Sequence, residues 1–505
     1  MFKGQPKGLF ALALANTGER FGYYTMLAIF ILFLQAKFGY TSGEASEIYG
    51  IFLGFVYFMP FIGGILADKF GYGKMVTTGI AVMFAGYVCL AIPTGANTIG
   101  EMSMFAALFL ISVGTGLFKG NLQVMVGNLY DSPEMSKKRD SAFSLFYMAI
   151  NIGALFAPTV ADKITNFVMT KHGMAYNPDL PALAHKVIEG SQDPVILNRF
   201  TELVSGHAAS AGMDIAAYAQ QFLETLSTSY HYGFAVACIS LVISMAIYYG
   251  FRYTFKQADY NSKTQPTNGH KPVELTKKQT RQRITALLLV FSVVIFFWMA
   301  FHQNGLTLTF FARDYTTQSA EGLTRIGFDV WNLVLIVIGV YSAFAIAQTE
   351  TAKSKIIAST VFGAAVVGLI IKYTGFTDPT VNFTPQIFQQ FNPFFVVALT
   401  PVSMAVFAAL AKRGKEPSAP RKIGIGMLIA ALGFTLMAVG SWFLPMPGTE
   451  TQVAGEFARQ TPNLLISTYL VLTFAELFLS PMGISFVSSV APPKYKGMMM
   501  GGWFA

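Results

Sequence analysis

Charge is what this chain has least of. Asp, Glu, Lys and Arg make up 12% of its 505 residues, against roughly a quarter in soluble proteins. The deficit excludes a large soluble globule. The charges that remain are clustered and leave apolar stretches near the ~20 residues that cross a bilayer as a helix, whereas helices around a soluble core keep a polar face. Cysteine is almost missing: Cys89 and Cys238 both fall inside apolar runs, so a disulfide framework is not indicated and both read as core fillers. A His-Glu-x-x-His helix, a Gly-x-Ser-x-Gly elbow and a phosphate-binding loop are missing too. An intramembrane enzyme using Glu476, His302 and Lys119 as acid–base groups is therefore left without a motif, and no metal or cofactor is expected.

What is present is hydrophobic sequence, 53% of the chain, and it resolves into twelve apolar spans. They run from Leu9–Leu34 through Ala142–Val160, Tyr232–Tyr249, Thr285–Phe311, Val330–Ala347, Ile356–Tyr373 and Phe394–Leu410 to Leu464–Val490, and another begins near Gly497. The first run is too long for a signal peptide and contains Glu19 and Arg20, so it reads as a retained span. Every second connection is basic, among them Lys137-Lys138-Arg139, Arg252 through Arg283, and Lys412 through Lys422. Positive loops stay cytoplasmic, which places the N-terminus inside a cell (inner) membrane. The net charge of +9 belongs to this pattern, and nucleic acid is not an expected partner. Two segments are polar: an outer-side insertion at 161–229 and a basic linker at 251–284. That linker divides the chain into an N-terminal six-helix half (1–250) and a C-terminal half (285–505), with an extra pair of helices at 330–373.

Four charged residues lie within spans: Glu19, Arg20, Lys119 and Glu476. Glu19 falls about ten residues into its helix, roughly 15 Å deep and near the midplane; Asn16, Glu19 and Tyr23 share its face, with Arg20 and Tyr24 beside them. Lys119 lies in the fourth span and Glu476 in the last complete one, and His302 falls in the seventh. Each charge costs roughly 2.5–3.5 kcal/mol at a helix centre, so together the four cost on the order of 10 kcal/mol against lipid. Static ion pairs that glue helices are one solution. Four such residues on three helices in both halves point instead to a polar cavity with titratable walls.

The sequence Glu19-Arg20-Phe21-Gly22-Tyr23-Tyr24 resembles the first-helix signature of the proton-dependent oligopeptide transporter (POT or PTR) family of the major facilitator superfamily. Further matches follow in order: Gly63 to Lys69 after Tyr57-Phe58-Met59-Pro60, Gly114 to Asn121, Phe146 to Gly153, Phe297-Trp298 with Gln303, Phe391-Asn392-Pro393, and Glu476 to Gly483. The resemblance implies an all-α membrane protein of the major facilitator fold, with two six-helix halves plus an extra helix pair. It also implies two further helices beyond Ala505, so that the C-terminus is expected to be truncated. In the usual member the extra pair lies between the halves; here it follows the seventh span.

The activity implied is symport of di- and tripeptides with protons by alternating access, in a protein working as a monomer among membrane lipids. The resemblance assigns Glu476 to the peptide amino group, with Asn392 and Asn151 as polar neighbours. Arg20 and Lys119 form the cationic side, and Tyr23, Tyr24, Tyr57 and Trp298 line the pocket. Glu19, Arg20, Lys119 and His302 are the proton-coupling candidates, since coupling needs a group whose protonation competes with an ion pair. Asp68, at a cytoplasmic helix end, is the gating candidate, expected to pair with basic residues. Three positions depart from the family pattern: Asn16 and His302 stand where glutamates are usual, and Leu27 where arginine often occurs. They keep open a carrier of the same fold for another small organic solute, weakly coupled to protons or uncoupled.

Overall fold

A computed structural model describes residues 4–176, 180–207, 212–260, 275–305, 307–317, 319–383, 385–446 and 457–505. The principal helices are α1 (Lys7–Phe38), α2 (Ser42–Phe70), α3 (Tyr72–Ala91), α4 (Thr98–Asn128), α5 (Arg139–Lys171), α6 (Leu180–Ile188), α7 (Pro194–Val204) and α8 (Ile215–Gly250). After them come α9 (Lys277–Phe301), α10 (Thr307–Tyr315), α11 (Val330–Gln348), α12 (Ala352–Thr374), α13 (Phe391–Lys412), α14 (Ala419–Gly440), α15 (Pro462–Val490) and α16 (Lys496–Phe504). Among the described residues, twelve helices are long and apolar enough to cross a membrane. Helices suit that setting because they satisfy every backbone polar group internally. Several of their starts are set by polar caps. Thr41 and Glu44 form a reciprocal capping box at α2, Asn97 accepts from the Gly100 N–H at α4, and Asp214 caps α8.

The chain groups into two compact units. One comprises Phe10–Leu129, Ala157–Glu274 and Pro492–Ala505, and will be called the α1 unit; the other, the α15 unit, comprises Met1–Leu9, Tyr130–Phe156 and Leu275–Ala491. This differs from the division expected at the 251–284 linker. The first half of α5 groups with the helices that follow residue 275, and α16 groups with α2 and α4.

Within the α1 unit, small residues let helices approach closely. Gly18 and Gly22 of α1 face Ser244 and Ser240 of α8, and Ser244 Oγ donates to the Ala15 carbonyl at 2.5 Å. A side chain at Gly63 or Gly64 of α2 would strike the backbone of Gly116 in α4 or of Gly497 in α16. Within the α15 unit, Phe407 of α13 packs on Phe478 of α15 at 4.9 Å. The Tyr341 hydroxyl of α11 donates to the Val397 carbonyl of α13 at 3.1 Å. The expected extra pair is α11 and α12; the latter leaves Ile356, Ile357, Ile370 and Ile371 exposed, as a lipid-facing helix does. Strands β1 (Ser319–Glu321) and β2 (Thr380–Asn382) pair antiparallel beside this pair, where Asp329 both caps α11 and binds Lys372 at 2.7 Å.

Several boundaries shift from the sequence expectation. The insertion at 161–229 narrows, because α5 continues past Val160 to Lys171 and α8 already begins at Ile215. Hydropathy falls where a helix leaves the apolar layer, but its hydrogen-bond ladder continues. Residues 177–179 and 208–211 of the insertion, and 261–274 of the linker, lie outside the described residues. The described start of the linker forms two short 3-10 turns, Arg252–Thr254 and Lys256–Ala258.

Candidate functional site

The sequence-selected residues fall into two clusters, one in each unit. In the α1 unit, Glu19 is 0% and Arg20 3% exposed, and their side chains pair through two contacts of 2.5 Å, Nε to Oε2 and Nη2 to Oε1. Neighbours in sequence do not share a helix face, so Arg20 must fold its fork back along α1 to reach Glu19, which neutralises both charges within one turn. The guanidinium also lies 4.5 Å from the centre of the Tyr23 ring, and Tyr24 meets that ring edge-on at 5.5 Å.

Lys119 of α4 is half-buried, and the charges of Arg20 and Glu19 both reach its ammonium. Its close partners are rings: Tyr57 at 4.7 Å and Phe504 of α16 at 4.3 Å. Among the described residues no carboxylate lies within 4 Å of it, so this cation is available to an incoming anion. Two phenols beside the pair, Tyr23 and Tyr87, are buried with no hydrogen-bond partner for their hydroxyls among the described residues. Buried polar groups without a partner carry a desolvation cost of about 1–3 kcal/mol, which a water or a ligand group would relieve.

In the α15 unit, Glu476 is 3% exposed and answered by neutral donors. The Tyr147 hydroxyl of α5 donates to Oε1, and Asn392 Nδ2, in the first turn of α13, donates to Oε2 at 2.7 Å. Asn392 also reaches Thr473 Oγ1 at 3.0 Å. Among the described residues no lysine or arginine comes within 4 Å of Glu476. One turn on, the Ser480 hydroxyl is buried and without a partner.

The remaining candidates are placed less centrally. Asn151 is buried, but its amide donates to the Tyr147 carbonyl of its own helix at 3.0 Å, supporting Tyr147 rather than Glu476. Trp298 is half-buried in an aromatic group with Phe297 and Phe301. His302 lies in the last turn of the seventh candidate span, Lys277–Asn304, as its position in the apolar run suggested. It caps the end of α9, exposed, with Nδ1 2.8 Å from the Trp298 carbonyl, and it belongs to the α15 unit whereas Glu19 belongs to the α1 unit. Asp68 pairs mainly with backbone. Its two oxygens accept from Gly497 N–H at 2.8 Å and Met498 N–H at 2.9 Å, the first turn of α16, and Oδ1 also accepts from Tyr72 at 2.6 Å.

Tyr147 is the site residue that sequence reasoning passed over. A signal existed: it stands one helical turn before Asn151 in the stretch that carried the family resemblance, on the same face of α5. Among the described residues, no group of three His, Cys, Asp or Glu side chains is arranged to hold a metal ion.

Among the described residues, twelve helices long and apolar enough to cross a membrane, with buried ionisable side chains in each of the two units, define a multi-span membrane protein. A solved structure of a peptide transporter in complex with sulfate aligns over 100% of this chain and 86% of its own at a TM-score of 0.51 and 24% identity, which shows the major facilitator fold. The family model described as the POT family matches residues 74–177 and 369–505. The transporter YclF of Bacillus subtilis is 27% identical over 100% of this chain and 85% of its own length. Dipeptide and tripeptide permease B of Salmonella typhimurium is 26% identical over 99% and 84%. The chain resembles the POT family of membrane transporters over these residues.

Proposed function

We propose that this protein carries di- and tripeptides across the cell membrane together with protons, by alternating access of its two six-helix halves, with its N-terminus in the cytoplasm. The observation that carries the reading is Glu476: a buried carboxylate held only by neutral donors is a receptor for a cation, and a peptide amino group is a cation of the right size. Tyr147 and Asn392 keep the carboxylate oriented while both their bonds can be exchanged for bonds to an ammonium. A peptide carboxylate needs a cation that is not already neutralised, and Lys119 is that group, since Arg20 is committed to Glu19.

Proton coupling falls to Glu19. Protonating it breaks the pair with Arg20, frees a guanidinium beside Lys119, and so links a proton to anion binding. A proton moved inward gains about 2.3 kcal/mol per 100 mV, enough to bias the cycle.

The test is dipeptide uptake into proteoliposomes under an imposed pH gradient, with unlabelled dipeptides, tripeptides and free amino acids as competitors. Peptides are expected to compete and free amino acids to fail; uptake indifferent to the gradient would sink the symport reading. A second reading, an uncoupled carrier of another small organic solute, is favoured by Asn16, buried one turn before Glu19 and unable to titrate. Competition by free amino acids with no gradient dependence would support it.

A further inference from the structure

Residues 252–260, directly after α8, have no part in the cycle described above, yet they are anchored with care. Phe255 is 1% and Ala258 0% exposed, and the Phe255 ring packs 5.1 Å from that of Tyr248. Two helix ends hold the segment. Helix α3 has no side-chain cap of its own, because Gly71 stands at its N-cap. Asp259 supplies that cap from far along the chain: Oδ1 accepts from the Gly73 N–H at 2.8 Å, and Arg252 lies 3.8 Å from Oδ2. Gly73 is needed there, since a Cβ would collide with the Asp259 carboxylate.

The second anchor is Asn128, the last residue of α4, 7% exposed. Its Nδ2 donates to the carbonyls of Ala258 at 2.9 Å and Tyr260 at 3.2 Å, while its Oδ1 accepts from Nζ of Lys496, the first residue of α16, at 3.1 Å. The amide thus uses two donors and one acceptor at once, which neither aspartate nor an apolar residue can do. Helix α16 also lacks a side-chain cap from its own N-cap, Tyr495, and takes one from Asp68.

We propose that residues 252–260 form a strap that senses the position of α16. The strap stays seated across the ends of α3 and α4 while Lys496 holds the Asn128 amide, and it releases when α16 leaves α2 and α4. The proposal rests on the alternating-access reading, because α16 belongs by chain order to the second half and is the element expected to depart from α2 and α4. Release would add the strap to the connection between α8 and α9, lengthening the tether between the halves by up to roughly 30 Å. The halves would then be held close only while α16 is docked.

The experiment uses the full chain with Cys89→Ser and Cys238→Ser, carrying a single thiol introduced by Ala258→Cys. The rate of reaction with a membrane-impermeant maleimide is read in detergent. Lys496→Ala and Asp68→Asn act at the start of α16; each loses about one hydrogen bond, near 1 kcal/mol, and is expected to raise the rate about 5-fold. A parallel thiol at Ala107, buried in α4, is expected to stay unreactive in both variants. Unchanged labelling at 258 in both variants overturns the proposal, and so does an equal rise at 107, which would report general loosening. The assay needs no peptide, so a failure to take up dipeptides would sink the transport reading while the labelling still decides the strap.

Discussion

The two buried glutamates are handled in opposite ways. Glu19 is neutralised by the next residue on its own helix, within 2.5 Å; Glu476 is met by a phenol and an amide from two other helices and by no cation among the described residues. The first is a closed pair, which only a proton or a competing ion can open. The second is an open receptor, already hydrogen-bonded but not neutralised. One kind of buried carboxylate suits coupling and the other suits binding, and the difference lies entirely in the partners.

The contrast is sharpest in stability. Glu19→Gln leaves the buried Arg20 charge uncompensated, and removing one partner of such a pair costs about 3–5 kcal/mol. Thermal unfolding in detergent should therefore show a large drop for Glu19→Gln. Glu476→Gln removes a charge that no cation answers, so its unfolding temperature should stay level or rise; the reverse ranking would break the comparison. In binding the order inverts. Glu476→Gln forfeits a charge-assisted hydrogen bond to the substrate amine, worth about 3 kcal/mol, and should cut uptake about 100-fold. Tyr147→Phe removes one neutral donor and leaves the charge in place, so KM should rise by no more than about 10-fold with the maximal rate held.

The smallest effect lies outside the membrane layer. His207, beside the Tyr218 hydroxyl at 2.5 Å, has its pKa lowered from the usual 6.5 by burial. The unfolded chain then binds the proton more readily, so this contribution is fully present above the unfolded value and is lost as pH falls below it. Unfolding temperatures at pH 7.5 and 5.5 should converge slightly in His207→Gln relative to the native chain. A much larger change would mean that the segment around His207, and not the two glutamates, governs stability.

Much of this was legible in the sequence because membranes make charge expensive. Twelve spans followed from hydropathy and from alternating loop charge, and Glu19, Arg20, Lys119 and Glu476 stood out by insertion cost alone. What a residue touches was not legible. A tyrosine in an apolar helix carries no penalty that flags it, so only its place one turn before Asn151 pointed to Tyr147, whose hydroxyl meets a carboxylate 329 positions away. Asp68 read as a partner for basic side chains when the inner gate rearranges; its caps on the free N–H groups at the start of α16 were not legible, since a carboxylate at a helix end names no particular partner helix. Hydropathy carried the seventh span to Phe311, past the end of the Lys277–Asn304 span, and rightly placed His302 inside it. The chain ends α9 at Phe301, and the imidazole takes up the exposed carbonyl of Trp298.

The division of labour between the two glutamates is tested most directly by measuring pH-gradient-driven uptake and gradient-free exchange of the same dipeptide in Glu19→Gln proteoliposomes. The account predicts that driven accumulation is lost while exchange through the intact Glu476 receptor persists. Driven accumulation that survives in Glu19→Gln would contradict it.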